Sequence, residues 1–465
     1  MNDDTDQIEP EADLEDEDAY ALDRRKVAAV LEAVDRDDAG ELADLLEPLH
    51  AADIADLIEQ INPFDRRRLV ALAGSAIDGE ILSELEESIR EDVIALLRPE
   101  VLADAVRDLD SDDVVDLLED MEADQQQALL GALSASERAA VQQSLTYPEQ
   151  SAGRLMQREV VMAPEHWTVG QSIDHMRERE DLPEQFYHVI LVDPKLHPVG
   201  NVTLGKIMSS RRNVPLRDLV EDSFRVIPAT QDEGDVAYAF NQYHLISAPV
   251  VDENERLVGV ITIDDAMAVL DEEHEEDILR LAGVTEEASL ADTVLEAARG
   301  RATWLFVNLL TAIFASVVID LFADTIEQMV ALAVLMPIVA SMGGNAGTQT
   351  MTVAVRSIAT RDLTSQNALR VAWRELSVGA LNGALFGLLM AGVAAAWFGV
   401  PMLAAVIALA MLLTQLSAAL AGIAIPILLD RLGIDPALAS GPFVTTVTDV
   451  VGFFAFLGLA TVVLL

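Results

Sequence analysis

Residues 376–429 hold no charged side chain, a run of 54 residues. Lipid offers a backbone no hydrogen-bond partners, so such a run folds as helices that satisfy their own amides. At about 20 residues per crossing it makes two spans, with the turn at Gly399-Val400-Pro401. Three further apolar runs bring the expected total to five spans, roughly 303–321, 328–350, 376–398, 402–428 and 442–464. Arginine sorts the loops between them. Arg299 and Arg301 precede the first span, Arg356, Arg361, Arg370 and Arg374 lie between the second and third, and Arg431 lies between the fourth and fifth. The alternate loops, 320–327 and 398–401, carry no base. The positive-inside rule then predicts a multi-pass protein of the cell membrane with its N-terminus in the cytosol and its C-terminus outside.

The last apolar run contains an acid, Asp449, within FVTTVTDVVGFF (443–454). A carboxylate at membrane depth costs on the order of 3 kcal/mol on insertion scales and normally faces a cavity, a partner or an ion path. It sits roughly 10 Å along the helix, deep for an aspartate to reach the surface. The second run ends in PIVASMGGNAGTQT (337–350), where Asn345 and Gln349 fall at i, i+4 on one face and offer neutral oxygens. Its glycines suit either close helix packing or carbonyls turned toward a pore.

The rest of the chain is acidic. Of 79 Asp and Glu, 71 precede position 301, against 24 of the 30 Lys and Arg. That balance disfavours nucleic acid and favours cations as partners. It fits a cation sensor, while a solvated surface suited to high salt, with only three Lys, accounts for most of the excess. There is no cysteine, which excludes a disulfide framework or zinc knuckle. All seven His precede position 275, leaving the membrane part only oxygen ligands. Residues 1–19 hold ten acids and no base, so residues 1–24 are expected as a disordered acidic tail with no secretory signal.

Residues 25–150 predict a superhelical stack of short helices. Leu42, Leu45, Leu46 and Leu49 fall on one helical face, as do Ile54, Leu57, Ile58 and Ile61. Breaks stand at Pro48, Asn62-Pro63, Arg98-Pro99 and Tyr147-Pro148, and Ser134 with Glu137 forms a helix-start pattern. Residues 151–269 change character. Asp193, Gly200, Thr203 and Met208 recur as Asp252, Gly259, Thr262 and Met267, each 59 residues on. A constant offset over four positions marks a duplication, and each copy reads strand, turn, strand, helix. The run DEEHEED (271–277) follows, with Leu270, Ile278 and Leu281 as apolar anchors of a helix. His274 is not part of a zinc-peptidase HExxH, because Ile278 takes the second His position.

The duplicated module resembles a tandem pair of CBS domains, 151–215 and 216–269. With GGNAGTQT and LGIDPALASGPFVTTVTD (432–449) in the membrane part, the order of domains closely resembles the MgtE family of magnesium channels. The resemblance implies a connecting (plug) helix at 270–300, a five-helix transmembrane domain at 301–465 and a homodimer with the pore between subunits. It implies Asp449 as the pore residue that holds hydrated Mg2+, with Asn345 and Thr445 as neighbours. It implies cytosolic Mg2+ sensing, with Asp265, Asp271, Asp277 and Asp435 as candidates. Paired CBS domains often bind adenine nucleotides through an acid shortly after a strand Thr. Thr262 and Asp264 therefore stand as a candidate ATP site, whereas Thr203 is followed by no acid; the alternative is a dimerisation module without ligand. The expected function is gated Mg2+ import, the alternative a CBS-regulated transporter of Co2+, Mn2+ or Ca2+. A membrane-anchored nucleotide receptor is a further alternative. No nucleophile and base set or phosphate-cradling loop suggests an enzyme.

Overall fold

The computed structural model describes residues 22, 24–119, 121, 123–179, 182–183, 185–285, 293–364 and 366–465. The expected acidic tail lies almost wholly outside them. The chain divides into two compact units, Met1–Leu270 and Asp271–Leu465.

The first unit begins with ten α-helices between Arg24 and Ser144. The first two pack chiefly on each other, and the later ones pack mainly on helices two or three places along the chain, as a stack requires. The predicted faces point inward: Leu42, Leu46, Leu57 and Ile58 are all buried. The breaks are helix starts. Asn62 accepts from Phe64 N and Asp65 N with Pro63 at the first helical position, and Ser134 and Glu137 close a reciprocal capping box. One device recurs without a visible sequence repeat. The fourth residue of a helix reaches back to the carbonyls eight and five residues earlier, at the end of the preceding helix. Arg66 donates to Ile58 O at 2.9 Å and Ile61 O at 3.4 Å. Gln126 donates to Leu118 O and Met121 O, and Arg138 to Leu130 O and Leu133 O. Carbonyls left open by a helix end are thereby satisfied, and the buried Arg66 guanidinium gains neutral acceptors.

Two three-stranded sheets follow. β1 (Met162–Pro164), β2 (His188–Val192) and β3 (Pro198–Thr203) pair in that order, parallel then antiparallel. β4 (Ile227–Pro228), β5 (Ser247–Val251) and β6 (Leu257–Thr262) repeat the arrangement. The 59-residue offset reappears in the register: Leu191 faces Gly200 as Val250 faces Gly259, and both ladders slip at the next residue. It also explains the conserved spacing of Asp193 and Asp252. Asp193 accepts from the amides of Lys195 and His197, Asp252 from those of Asn254 and Arg256. These bonds shape identical turns and hold both carboxyls below the usual carboxylate range, His197 N and Arg256 N contributing most. Gly200 and Gly259 are fixed by space. A Cβ would stand 2.7 Å from Val220 in the first and 2.6 Å from Met156 in the second.

The second unit holds five helices long and apolar enough to cross a membrane. They run Val294–Asp320, Ala331–Ala359, Ala368–Phe398, Pro401–Arg431 and Pro436–Leu464. Each extends beyond its predicted apolar run at one or both ends, because a helix continues past the lipid-facing stretch that hydropathy detects. The fourth is central: 56% of its apolar window is buried, against 6% for the first. Gly379, Gly383 and Gly387 line one face of the third span, where a Cβ would meet Ala419, Leu412 or Ala408 at 2.7–2.9 Å. Small residues at this spacing bring two backbones into contact where no hydrophobic force distinguishes helix from lipid.

Candidate functional site

Asp449 lies midway along the fifth span and is half-buried. It has no hydrogen-bond or ion-pair partner among the described residues. The glycine-rich stretch is not a broken helix; the second span runs unbroken through it. Gly343 and Gly347 form its seam with the fourth and fifth spans. A Cβ on Gly343 would stand 2.5 Å from Thr414 Cγ2, and one on Gly347 2.7 Å from Val444 Cγ1. Helix packing, not a turned carbonyl, accounts for these glycines. Asn345 is two residues from each, about 160–200° around the helix. It therefore points away from that seam, is exposed beside Gln349, and bonds Ser341 Oγ at 3.5 Å. The structure makes no hydrogen bond between Asn345 and Asp449. Thr445, also exposed, donates to Gly441 O at 3.0 Å, and its own carbonyl accepts from Thr448 Oγ1 at 2.9 Å. The face carrying Asp449 and Thr445 is thus open within one chain, and so is the face carrying Asn345.

At the start of the fifth span, Asp435 caps the helix by accepting from Ala437 N at 2.7 Å. Its other oxygen lies 2.9 Å from Arg280 Nη1. Arg280 also meets Glu276 at 2.7 Å, and Leu281 packs on a cluster of Met351, Val355, Ala437 and Val444. The end of the acidic helix Ile263–Ala282 is thereby tied to the second and fifth spans. Asp277 lies in the same group. Burial, then the neighbouring Asp435 charge, raises its pKa. Asp271 is exposed. The structure brings Asp277 and Asp435 together with Arg280, a residue the sequence did not single out.

Asp265 belongs to the first unit and has different company. It is the third residue of its helix, and Thr262, just before that helix, donates to Asp265 Oδ2 from its hydroxyl at 2.5 Å and from its amide at 3.4 Å. Asp264, one residue earlier, is exposed and makes no such bond. Thr262 thus bonds Asp265, and Asp264 is left exposed beside it. The cleft that Thr262 lines, with Gln157, His188 and Ser247, has about 20 Å³ of water-accessible space, room for about one water.

Asp265 instead faces the helix Ser111–Glu119, which carries Asp112 and Asp113 in its first turn. Burial pushes Asp113 up to about 7, with the Asp265 charge adding to it. Burial likewise pushes Asp265 to about 6 and Asp112 well above the carboxylate range. Crowded carboxylates without a countercharge are unfavourable, and a divalent cation relieves them. Nothing in the local sequence of residues 110–116 distinguishes them from other Asp-rich turns; only the fold sets them against Asp265. Among the described residues, no three His, Asp or Glu side chains form a direct metal cage.

A bundle of five apolar helices with an unpaired carboxylate in one of them, joined to a CBS pair and an acidic helical domain, defines a multi-pass membrane transporter. The family described as Divalent cation transporter matches residues 336–459, the MgtE intracellular N domain matches 49–150, and the CBS domain matches 152–213 and 216–272. The magnesium transporter MgtE of Bacillus subtilis is 31% identical over 315 residues, 68% of this chain and 70% of that protein. That of Thermus thermophilus is 33% identical over 324 residues, 68% and 71% of the two chains. A solved cytosolic domain of the Mg2+ channel MgtE in complex with ATP is 27% identical, with a TM-score of 0.48 over 52% of this chain and 99% of its own. The chain belongs to the MgtE family.

Proposed function

We propose that this protein is a Mg2+-selective channel for magnesium import, closed by cytosolic Mg2+ acting on its acidic domains. The observation that carries the pore assignment is Asp449, a membrane carboxylate left without a partner among the described residues. Two copies in a homodimer, with the pore between them, would place two such carboxylates at one axis. Mg2+ sheds water reluctantly, so one or two carboxylates plus retained waters suit it better than a full protein cage. Asn345 and Thr445 stand as further pore oxygens, each on a face open within one chain. The N-terminus lies in the cytosol and the C-terminus outside, on the arginine distribution.

Control falls to two acidic groups. Asp112, Asp113 and Asp265 form one; Asp277 and Asp435, with Asp271 nearby in sequence, form the other. Internal Mg2+ favours closure only through its greater affinity for the closed arrangement. ATP at Thr262 and Asp264 is a second regulatory proposal. The exposed Asp264 carboxylate, beside the cleft that Thr262 lines, supports it. Calorimetric titration of the full chain with ATP decides the point.

Proteoliposome flux with internal Mg2+ varied tests the main proposal. Mg2+ uptake that internal Mg2+ suppresses, and that Asp449→Ala abolishes, is the expected result. Uptake of Co2+, Mn2+ or Ca2+ undiminished by excess Mg2+ would replace it with the alternative cation.

A further inference from the structure

The helical domain and the CBS pair meet through more than crowded acids. Ser111, at the first turn of the helix Ser111–Glu119, donates from its hydroxyl to Glu159 Oε2 at 2.8 Å and from its amide at 3.4 Å. Arg158 N donates to the same oxygen at 2.9 Å and to Ser111 Oγ at 2.8 Å. One carboxylate thus serves a helix start in another domain, where open amides and the helix dipole favour negative charge. Ser111 is buried at 7% exposure, so these bonds are shielded from water. The CBS side is firmly seated. Gln157 and Val260 exchange backbone hydrogen bonds, both at 2.9 Å, which ties this segment to β6. Around it, Arg158 reaches Ser144 and Gln143, and Arg154 pairs with Glu119.

We infer that Glu159 and Ser111 form a metal-independent clamp that holds the helical domain on the CBS pair. It acts on the same helical turn as Asp112 and Asp113, whose repulsion with Asp265 pushes the other way. The clamp sets how much repulsion, and hence how low a cation concentration, separation requires. That consequence rests on the proposed control by Mg2+; the clamp itself does not. Glu159 is a positioning residue in this account, without contact to the ion.

The chain has no cysteine, so a spin-label pair is easily placed. Labels at Glu87→Cys and Glu253→Cys, both exposed sites, report domain docking in the detergent-solubilised full chain by electron–electron distance measurement. In EDTA the parent should keep a docked population. Glu159→Ala should lower its docked-to-open ratio about five-fold, the effect of losing one helix cap. Ser111→Ala should lower it similarly, and the double variant no further. Glu159→Gln, which keeps one accepting oxygen, should fall between and guards against misfolding of the alanine variant. The clamp is overturned by no docked parent in EDTA, by no loss in Glu159→Ala and Glu159→Gln, or by additive losses in the double variant. A parent distance unmoved by Mg2+, yet lost in Glu159→Ala, supports the clamp and refutes the control reading.

Discussion

Arg280 Nη1 lies 2.9 Å from Asp435 Oδ2, so the last turn of the acidic helix is bonded to the residue that starts the fifth span. That span carries Asp449. A displacement of the acidic helix therefore reaches the fifth span, the proposed pore helix, through this ion pair and the Leu281 contact with Ala437 and Val444. The pair is partly buried, with side-chain exposures of 18% and 33%, which keeps solvent from screening it fully.

Arg280→Ala should uncouple cytosolic control from the pore while leaving the pore intact. Loss of a partly exposed pair is worth about 1 kcal/mol, so the internal Mg2+ that halves flux should rise roughly five-fold. Liposome flux against internal Mg2+ measures this. Unchanged sensitivity would rule out the pair as the link.

Asp449→Ala should cut Mg2+ flux at least about ten-fold, because the only membrane-depth carboxylate of the fifth span is lost. Folding should survive, since the side chain has no hydrogen-bond or ion-pair partner among the described residues. Size-exclusion behaviour and flux are to be read on the same preparation.

Gly347→Ala should destabilise the membrane unit by about 1–3 kcal/mol, the usual cost of overpacking. The new Cβ would stand 2.7 Å from Val444 Cγ1 and 3.1 Å from Thr448 Cγ2. Thermal unfolding in detergent reports it. Gly344→Ala is the control, because nothing lies within 4 Å of that position.

Stability without divalent cations should increase as pH falls from about 7.5 toward 5. Asp113 and Asp265 have folded-state values of about 7 and 6, above those of an unfolded chain. An acid so raised disfavours the fold while ionised, and the penalty fades as pH drops through the folded value toward the unfolded one. Each proton taken up contributes at most about 1.4 kcal/mol per pH unit. Unfolding midpoints in chelator across this range check it, and Asp113→Asn should flatten the upper part of the slope.

Much of this protein is legible in its sequence, because the signals are local. Fifty-four uncharged residues permit little except membrane helices, and the 59-residue repeat reappears bond for bond in the turns at Asp193 and Asp252. Asp449 is conspicuous from its cost alone. Where local chemistry decides, as at the Ser134 and Asn62 caps, sequence and structure agree.

The rest depends on which distant residues the fold brings together. Asn345 is polar and close to Asp449 in character, but helical rotation turns it away from the seam that Gly343 and Gly347 make with the fifth span. Thr262 bonds Asp265 and not Asp264, because a helix cap reaches the third residue. Asp112 and Asp113 owe their raised pKa values first to burial and next to the Asp265 charge, with neighbouring acids such as Asp110 adding to it, and Arg280 finds Asp435 across 155 positions of chain. Periodicity and composition determine which segments are helix, strand or membrane span. Desolvation and long-range pairing, which act only in the folded chain, decide which of its many acids are crowded, capped or free.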